Sequence, residues 1–503
     1  MSDPLSNPNV DGRLAHLEQL LNINSFSSPE NSTASGTSGL PAIHGFPTIH
    51  GPTHPFPSAF FLDSDFFTPL RETALAQCAR SPMHRMAADH LGLDLETTCE
   101  GYFSSVHTWL PIISRKRIMY EFSTDPPDDV CFMLLLLCMR LCTSNGETQP
   151  KDSASYRLAK SLCSAAEMEG YVSIRLLQSL TLLAVYEYSH GIHPAAFLTI
   201  SRAARLGILM GFHDRKASTR LFKMPETWTL REEQRRTWWA IFILDRLVNI
   251  ETCGVPLAAP EPSASELLPV NDEDWDNGKI VPNESLYTKS FSSVTTVGSY
   301  AQLCQAAHML SKVMHHREAR NVSQDVTELL PEAKHLHQAL SALQTSIERH
   351  IDGSASPTSE SSKLAALALS SSARLILYKM YTCNEALRFA TQGPIALETE
   401  MQKASWDGVV VIISSTARTV GRRVSKCPLV AGFLYYAARE CAWFIREDHE
   451  QVISDALWDI VSGLRRLGQN WGVAGQYISL LQQGDVLKLI ESSADISSSS
   501  SPF

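Results

Sequence analysis

IRLLQSLTLLAVYEYSHGIHPAAFLTISRAARLGILMG, residues 174–211, reads as two apolar helices joined by a short turn. In its first half Leu176, Leu177, Leu180, Leu183 and Ala184 recur at helical spacing, so one face is wholly apolar and much of the other is too, the pattern of a buried helix. Gly191 and Pro194 punctuate the run. From Ala196 the same period resumes and closes on Gly211, a residue type suited to a left-handed helix end, so the spacing predicts an antiparallel helical hairpin. Extended β alternation is absent apart from the ambiguous VVVII at 409–413, and the predicted fold class is all-α.

The next informative stretch is RRTWWAIFILDRLVNIETCGVP, residues 235–256. Thr229 stands three residues before Glu232, which predicts a capping box at the start of a helix that runs through Arg246 or a little beyond. At 3.6 residues per turn, Trp238, Ile241, Phe242 and Asp245 share one face, while Arg235, Trp239 and Arg246 fall toward another. Two indoles anchor packing between neighbouring helices, each needing a partner for its N–H. Asp245 and the arginines can supply a buried or half-buried polar network, and Gly254-Val255-Pro256 ends the segment in a turn. Arg236, Trp238, Trp239, Asp245, Arg246, Gly254 and Pro256 therefore read as architecture rather than as catalytic groups.

The 503 residues exceed one ordinary domain of roughly 100 to 200 residues, so two or three lobes, or one large helical body with disordered flanks, are expected. A hydrophobic share of 44% and a charged share of 19% suit a globular chain with a large core. The formal net charge of −10, with a pI near 5.9, disfavours non-specific binding of nucleic acid or anionic membrane by the chain as a whole. The opening MSDPLSNPNVDGR carries no readable secretory signal. The densest apolar run, CFMLLLLCM at 131–139, falls far short of the roughly 20 residues that span a bilayer and reads as a buried helix. Eleven scattered cysteines, mostly in apolar stretches, read as reduced core residues rather than a disulfide framework.

Within residues 1–22, RLAHLEQLL places Leu14, Leu17 and Leu21 at the alternating steps of a coiled-coil seam, or of a short amphipathic helix. Residues 23–60 are rich in Ser, Pro, Gly, Thr and His and read as a disordered linker. Its near repeat, IHGFPT then IHGPTH, brings His44, His50 and His54 close in sequence; a metal site is conceivable there, and a polar linker is the plainer reading. Gly353 to Ser362 reads as a serine-rich loop between helical halves, 363–490 as a C-terminal helical region, and 491–503 as a disordered tail.

The tryptophan stretch resembles the regulatory domain, or middle homology region, of fungal zinc-cluster transcription factors, whose pattern runs Arg-x-Trp-Trp, Asp-Arg, Gly-x-Pro. YFSSVHTWLPII at 102–113 resembles that domain's opening segment, the 174–211 hairpin resembles its helical pair, and LLPVNDEDW at 267–275 resembles the acidic loop after the Gly-x-Pro turn. Four segments in family order, from about 98 to about 290, place a regulatory domain within 61–352. The resemblance implies a nuclear transcription regulator and not an enzyme, governing a metabolic or secondary-metabolite gene cluster and controlled by an effector or coregulator protein with different affinity for two states.

Members of this family read DNA through six N-terminal cysteines in two Cys-x-x-Cys pairs that hold two zinc ions, followed by a basic stretch and a coiled coil. No Cys-x-x-Cys occurs in this sequence, and Cys131, Cys138 and Cys142 lie within an apolar helix. No cofactor is therefore expected in this chain, and DNA contact is expected only indirectly or through a missing N-terminal module. RLAHLEQLL stands where the family's coiled coil would begin, which implies homo- or heterodimerisation through Leu14, Leu17 and Leu21. The alternative is a DNA-free interaction protein, a dimerising cofactor or competitor of a full-length relative, for which a cytoplasmic location is also open.

Other constellations yield plainer readings. NDEDWDNG at 271–278 alternates acids like a calcium loop but puts Asn277 and Asn283 where glycine and a bidentate glutamate are needed, so an acidic surface loop is expected. His315, His316, His335 and His337 lack metalloprotease spacing and read as exposed helix positions. No nucleophile elbow, phosphate loop or dinucleotide fingerprint occurs. SRKRI at 114–118 and GRRVSK at 421–426 read as import signals or as solvated helix charge.

Overall fold

In the computed structural model of the chain, the described residues are 61, 82–92, 95–124, 129–143, 150–214, 227–263, 265–286, 297–323, 326–352, 357–382, 396–424, 426–448 and 451–490. All of them lie in the unit spanning 50–503. Leu14, Leu17, Leu21, the histidine-rich stretch and the C-terminal tail fall outside the described residues.

Helices α1 (Pro82–Leu91), α2 (Leu95–Ser104) and α3 (Arg115–Thr124) lead into α4 (Val130–Thr143), which contains CFMLLLLCM. Every α4 residue from Val130 to Met139 is buried. Its all-round apolar surface explains its place between α1, α2, α5 (Ala154–Met168) and α6 (Ile174–Ser189). The one charged residue, Arg140, turns out to the end of α1, donating to the carbonyls of Leu91 at 3.0 Å and His90 at 3.3 Å, where a cation meets the negative pole of the helix.

The expected hairpin is α6 and α7 (Ala195–Leu209). Ser173 caps α6 by accepting the Leu176 N–H at 3.1 Å. At its other end Gly191 takes φ +65°. Ile192 N–H then reaches Glu187 O at 2.8 Å and Gly191 N–H reaches Tyr188 O at 3.1 Å. This double closure needs the left-handed residue that glycine supplies without strain.

Beyond the hairpin come α8 (Trp228–Val248), the short α9 (Asp272–Asp276) and the long α10 (Ser299–Val322) and α11 (Leu330–Asp352). The loop expected over 353–362 does not extend to Ser362, because α12 (Pro357–Lys379) already begins at Pro357. Proline is tolerated at a first helical position, where its missing N–H has no intrahelical partner to lose. The serines that follow are not loop residues either: Ser372 bonds back to Ala368 O at 2.9 Å, and Ser362 reaches across to Thr108 O at 3.0 Å. α12 packs against α10, α11, α13 (Ala396–Val411), α14 (Ala417–Arg423) and α15 (Ala431–Asp448). VVVII at 409–413 is helical, the end of α13 passing through a π-helical turn, Ile412–Thr416, into α14. The last helices are α16 (Gln451–Gly468) and α17 (Gly472–Gln483). Among the described residues the only β feature is an isolated bridge between Leu267 and Ser285, and no helix is long and apolar enough to cross a membrane.

The two halves share one core. α8 contacts α6, α7 and α10, and α17 returns to α6. At that return His190 lies between Tyr186 and Trp471, and its Nδ1 accepts the Gly472 N–H at 3.3 Å. That contact needs a neutral ring, and burial lowers the His190 pKa from 6.5 to about 4. Between those values the unfolded chain binds a proton that the folded chain refuses. Stability is therefore complete above about pH 6.5 and declines as the pH falls toward 4. Urea midpoints across that range should fall less steeply for His190→Gln than for the unaltered chain. An identical slope would contradict the assignment.

Candidate functional site

α8 begins two residues earlier than the expected capping box. Its cap is Thr227, whose hydroxyl accepts the Leu230 N–H at 3.2 Å. Glu232, expected to reach back to Thr229, instead faces inward. One carboxylate oxygen accepts Arg236 Nε at 3.0 Å and Val270 N–H at 2.9 Å; the other accepts Arg235 at 2.6 Å and Asn283 at 2.9 Å. Tertiary donors outcompeted the local cap because a buried carboxylate must be satisfied on both oxygens.

Arg236 stands at the centre of this first network with none of its side chain exposed. Its guanidinium donates to Glu232, to Asp272 at 2.8 Å, to Val270 O at 2.7 Å and to Pro111 O at 3.3 Å. It also lies 4.1 Å from the Trp275 ring centroid and 5.7 Å from that of Tyr300, whose hydroxyl donates to Arg236 O at 2.9 Å. Burial works against its charge, and the neighbouring Asp272 and Glu232 outweigh that and raise its pKa. Next to it Glu233 accepts Ser114 N–H at 3.0 Å and Arg117 at 2.6 Å, while Gln178 on α6 donates to Ile112 O at 2.8 Å. The end of the 102–113 segment is thus stitched through its backbone to α8 at Pro111 and to α6 at Ile112.

The indoles point to different neighbours. Trp238 lies over Gly207 of α7, so close that a β-carbon there would meet the ring at 2.7 Å. Trp239 donates its N–H to Leu267 O at 3.1 Å and meets Phe242 edge-on at 5.4 Å. Phe242 sits with Trp239 and Arg246 rather than with Trp238 alone, since three- and four-residue steps carry 239, 242 and 246 along one stripe.

The second network closes the end of α8. Asp245 accepts the backbone N–H groups of Ala258 and Ala259, both at 3.1 Å, and pairs with Arg246 at 3.0 Å. Arg246 is stacked 3.7 Å from the Phe242 centroid and donates to Ala259 O at 2.7 Å, Ser311 at 3.1 Å and Glu261 at 2.9 Å. Burial raises the Asp245 pKa, with Arg246 and the two N–H groups opposing it. On Glu261 burial is outweighed by the Ser311 hydroxyl and Arg246, which hold its carboxyl below the ordinary range. Gly254, at φ +73°, and Pro256 are exposed at the bend that turns Ala258 and Ala259 back toward Asp245. A hollow of about 320 Å³ opens between this loop and His315 and Glu318.

Arg236, Trp238, Trp239, Asp245 and Arg246 are therefore all buried, Arg236 in one polar network and Asp245 with Arg246 in another, with Gly254 and Pro256 outside both. The sequence assigns Glu232 only a capping role, and it does not reveal Asp272, Trp275, Tyr300, Glu261 and Ser311 as partners of the arginines. The available signal was chemical: an arginine flanked by tryptophans on a core helix requires acids from elsewhere. Residues 271–278 are accordingly not a plain acidic surface loop. Asn271 caps the one-turn α9, Asp272 pairs with Arg236, and Trp275 is buried beneath it.

His315 and His335 are exposed as expected, whereas His316 and His337 are not. His316 is buried, bridging Glu332 at 2.7 Å and the Tyr381 hydroxyl at 2.8 Å, and His337 meets Tyr378. Arg117 in SRKRI is tied to Glu233 and Glu121, and Arg422 in GRRVSK to Asp459. Apart from exposed Cys253, the described cysteines are buried and free. Burial pushes Cys131 and Cys142 up to about 12, away from the thiolate that metals require. Among the described residues no cluster of three or more His, Cys, Asp or Glu is placed to hold a metal ion.

With this geometry in place, the match to a known family falls on the same helices. A family described as the fungal specific transcription factor domain matches residues 100–369, from α2 into α12, further than the sequence motifs reach. "Transcription factor BOA15" of Botryotinia fuckeliana (strain B05.10) is 37% identical over 183 residues, which cover 35% of this chain and 98% of that protein. "Pigment biosynthesis transcriptional activator pigB" of Monascus ruber is 25% identical over 255 residues, 48% of this chain and 46% of that one. "Depudecin biosynthesis cluster-specific transcription activator DEP6" of Alternaria brassicicola is 26% identical over 200 residues, 37% and 31% respectively. The match thus spans less than half the length of the latter two. No solved structure matches.

Proposed function

The chain belongs to the fungal specific transcription factor domain family, and from that premise we propose that it acts in the nucleus as a regulator of a biosynthetic gene cluster, under the control of an effector or coregulator that its helical body receives. The observation that carries the reading is the family match over 100–369, which takes in both buried networks of α8. Relatives whose names specify pigment and depudecin biosynthesis support the choice of target. In mechanism, an effector with unequal affinity for two arrangements of the body shifts the balance between them. The net charge of −10 argues against the body itself as the DNA-reading surface.

Deletion of the gene in its own fungus, followed by transcript sequencing, tests the reading. Coordinated change across one contiguous set of biosynthetic genes is the expected result; an unaltered transcript profile under producing conditions would overturn it. Promoter fragments from that set then separate the two modes of action. Zinc-dependent, sequence-specific binding by the purified chain would eliminate the DNA-free interaction role, and transcript changes without such binding would establish it.

A further inference from the structure

Two hollows share a wall on α12 and α15, the larger lined wholly by residues past the family-matched region. The larger, of about 550 Å³, lies among α12, α13, α15 and the end of α17. Trp406 of α13 and Trp443 and Phe444 of α15 line it, with centroids 5.6 Å apart for the two tryptophans and 5.2 and 4.9 Å from each to the phenylalanine. The smaller, of about 350 Å³, is lined by Glu251 and Cys253 just beyond α8, and by Arg317 and Tyr436. Leu375, Lys379 and Glu440 line both.

Three features of the larger hollow point to a ligand. Its volume falls within the roughly 300 to 1,000 Å³ of small-molecule sites. Trp406 and Trp443 remain 42% and 44% exposed, although burying such rings is among the largest apolar gains open to a fold; in a concave setting that surface is available to a flat guest. Its charged lining is Lys379, Arg439 and Arg446 against one acid, Glu440, a cationic excess within a chain of net charge −10. Burial raises the Glu440 carboxyl above its ordinary range, with Lys379 and Arg439 opposing.

We propose that this hollow binds a flat aromatic organic acid, its rings against Trp406, Trp443 and Phe444 and its anionic group toward Lys379 and Arg439. The proposal deepens the effector reading above and rests on it for its consequence in the cell. A route to the motif is also in place: Tyr436, on the same helix as Trp443, lines the smaller hollow together with Glu251, three residues before Gly254. A guest that shifts α15 therefore acts on the turn held by Asp245 and Arg246.

The test uses the purified full chain and 1-anilinonaphthalene-8-sulfonate, a flat aromatic anion whose emission brightens on leaving water. One saturable site per chain is expected, under conditions where circular dichroism shows native helix. Trp443→Ala should weaken binding about tenfold, as removal of an aromatic wall implies, while Trp443→Phe retains most of it. Arg439→Gln should remove the advantage of this probe over uncharged N-phenyl-1-naphthylamine. Trp458→Ala, at an exposed tryptophan of α16 away from the hollow, should change nothing. Absence of a saturable site in the folded chain, or equal affinity in folded Trp443→Ala, would overturn the proposal. Should Trp443→Ala fail to fold, the probe comparison with Arg439→Gln decides alone. Failure here leaves the gene-deletion result standing, and an unaltered transcript profile leaves binding standing, so the two readings fail separately.

Discussion

Arg236→Ala is expected to lower folding stability by about 3–5 kcal/mol, the loss that follows when a buried ion network keeps its acids and loses its base. Removing the guanidinium leaves Glu232 buried with a donor missing, frees the carbonyls of Pro111 and Val270, and strips Trp275 of its cation. Four separate pieces of chain meet at this one group: α8, the segment ending at Ile113, the Leu267–Asp272 stretch and the start of α10. A domain whose net stability is typically about 5–15 kcal/mol retains little margin after such a loss. Arg236→Lys should recover only a minor part, because an ammonium is a point charge and cannot present a planar fork to Glu232, Asp272 and a carbonyl together. Urea unfolding followed by circular dichroism measures the effect, provided the slope of the transition is unchanged. A loss below about 1 kcal/mol, the range of a surface ion pair, would show that the network does not hold the fold.

Trp238→Ala is expected to lower stability by about 3–5 kcal/mol through loss of the buried ring and the cavity left behind. The ring is 6% exposed and fills the space that Gly207 leaves on α7 by having no side chain. Collapse into the vacancy would require α7 and α8 to approach one another, and the hydrogen-bonded partners of α8 on its other sides resist that. The complementary change, Gly207→Ala, creates the opposite fault, a β-carbon 2.7 Å from the indole. Trp238→Phe, with its smaller ring, should tolerate Gly207→Ala better than the unaltered chain does, which a double-mutant comparison of urea midpoints would read. A change below about 1 kcal/mol for Trp238→Ala would contradict the core role of the ring, since large-to-small replacement of a buried aromatic removes several times that.

The functional reading depends on these contacts only indirectly. They give the Arg236 to Pro256 pattern a structural role: Arg236, Asp245 and Arg246 are engaged in holding α8 among its neighbours. A responsive surface must then be sought where rings and charges remain open, as they do between α13 and α15.

What depends on neighbours along the chain is legible in the residues alone. The spacing of Leu176, Leu177, Leu180, Leu183 and Ala184, and the glycines at 191 and 211, specify the hairpin because helical periodicity and a left-handed terminus are local properties. The unbroken apolar run of α4 and the paired tryptophans of α8 likewise announce burial before any partner is known. Only the tertiary structure decided the partners. It made Thr227 rather than Thr229 the cap, because Glu232 was claimed by Arg236 and by the backbone of Val270. It turned an acidic loop into the lid of a buried arginine, placed His316 in the core, and continued α12 through the serines after Pro357. Each of these outcomes is a competition for a hydrogen bond or for burial in which at least one contestant, such as Val270, Tyr381 or Thr108, lies tens of positions away. The periodicity of a segment carries no record of which distant group will satisfy its charges.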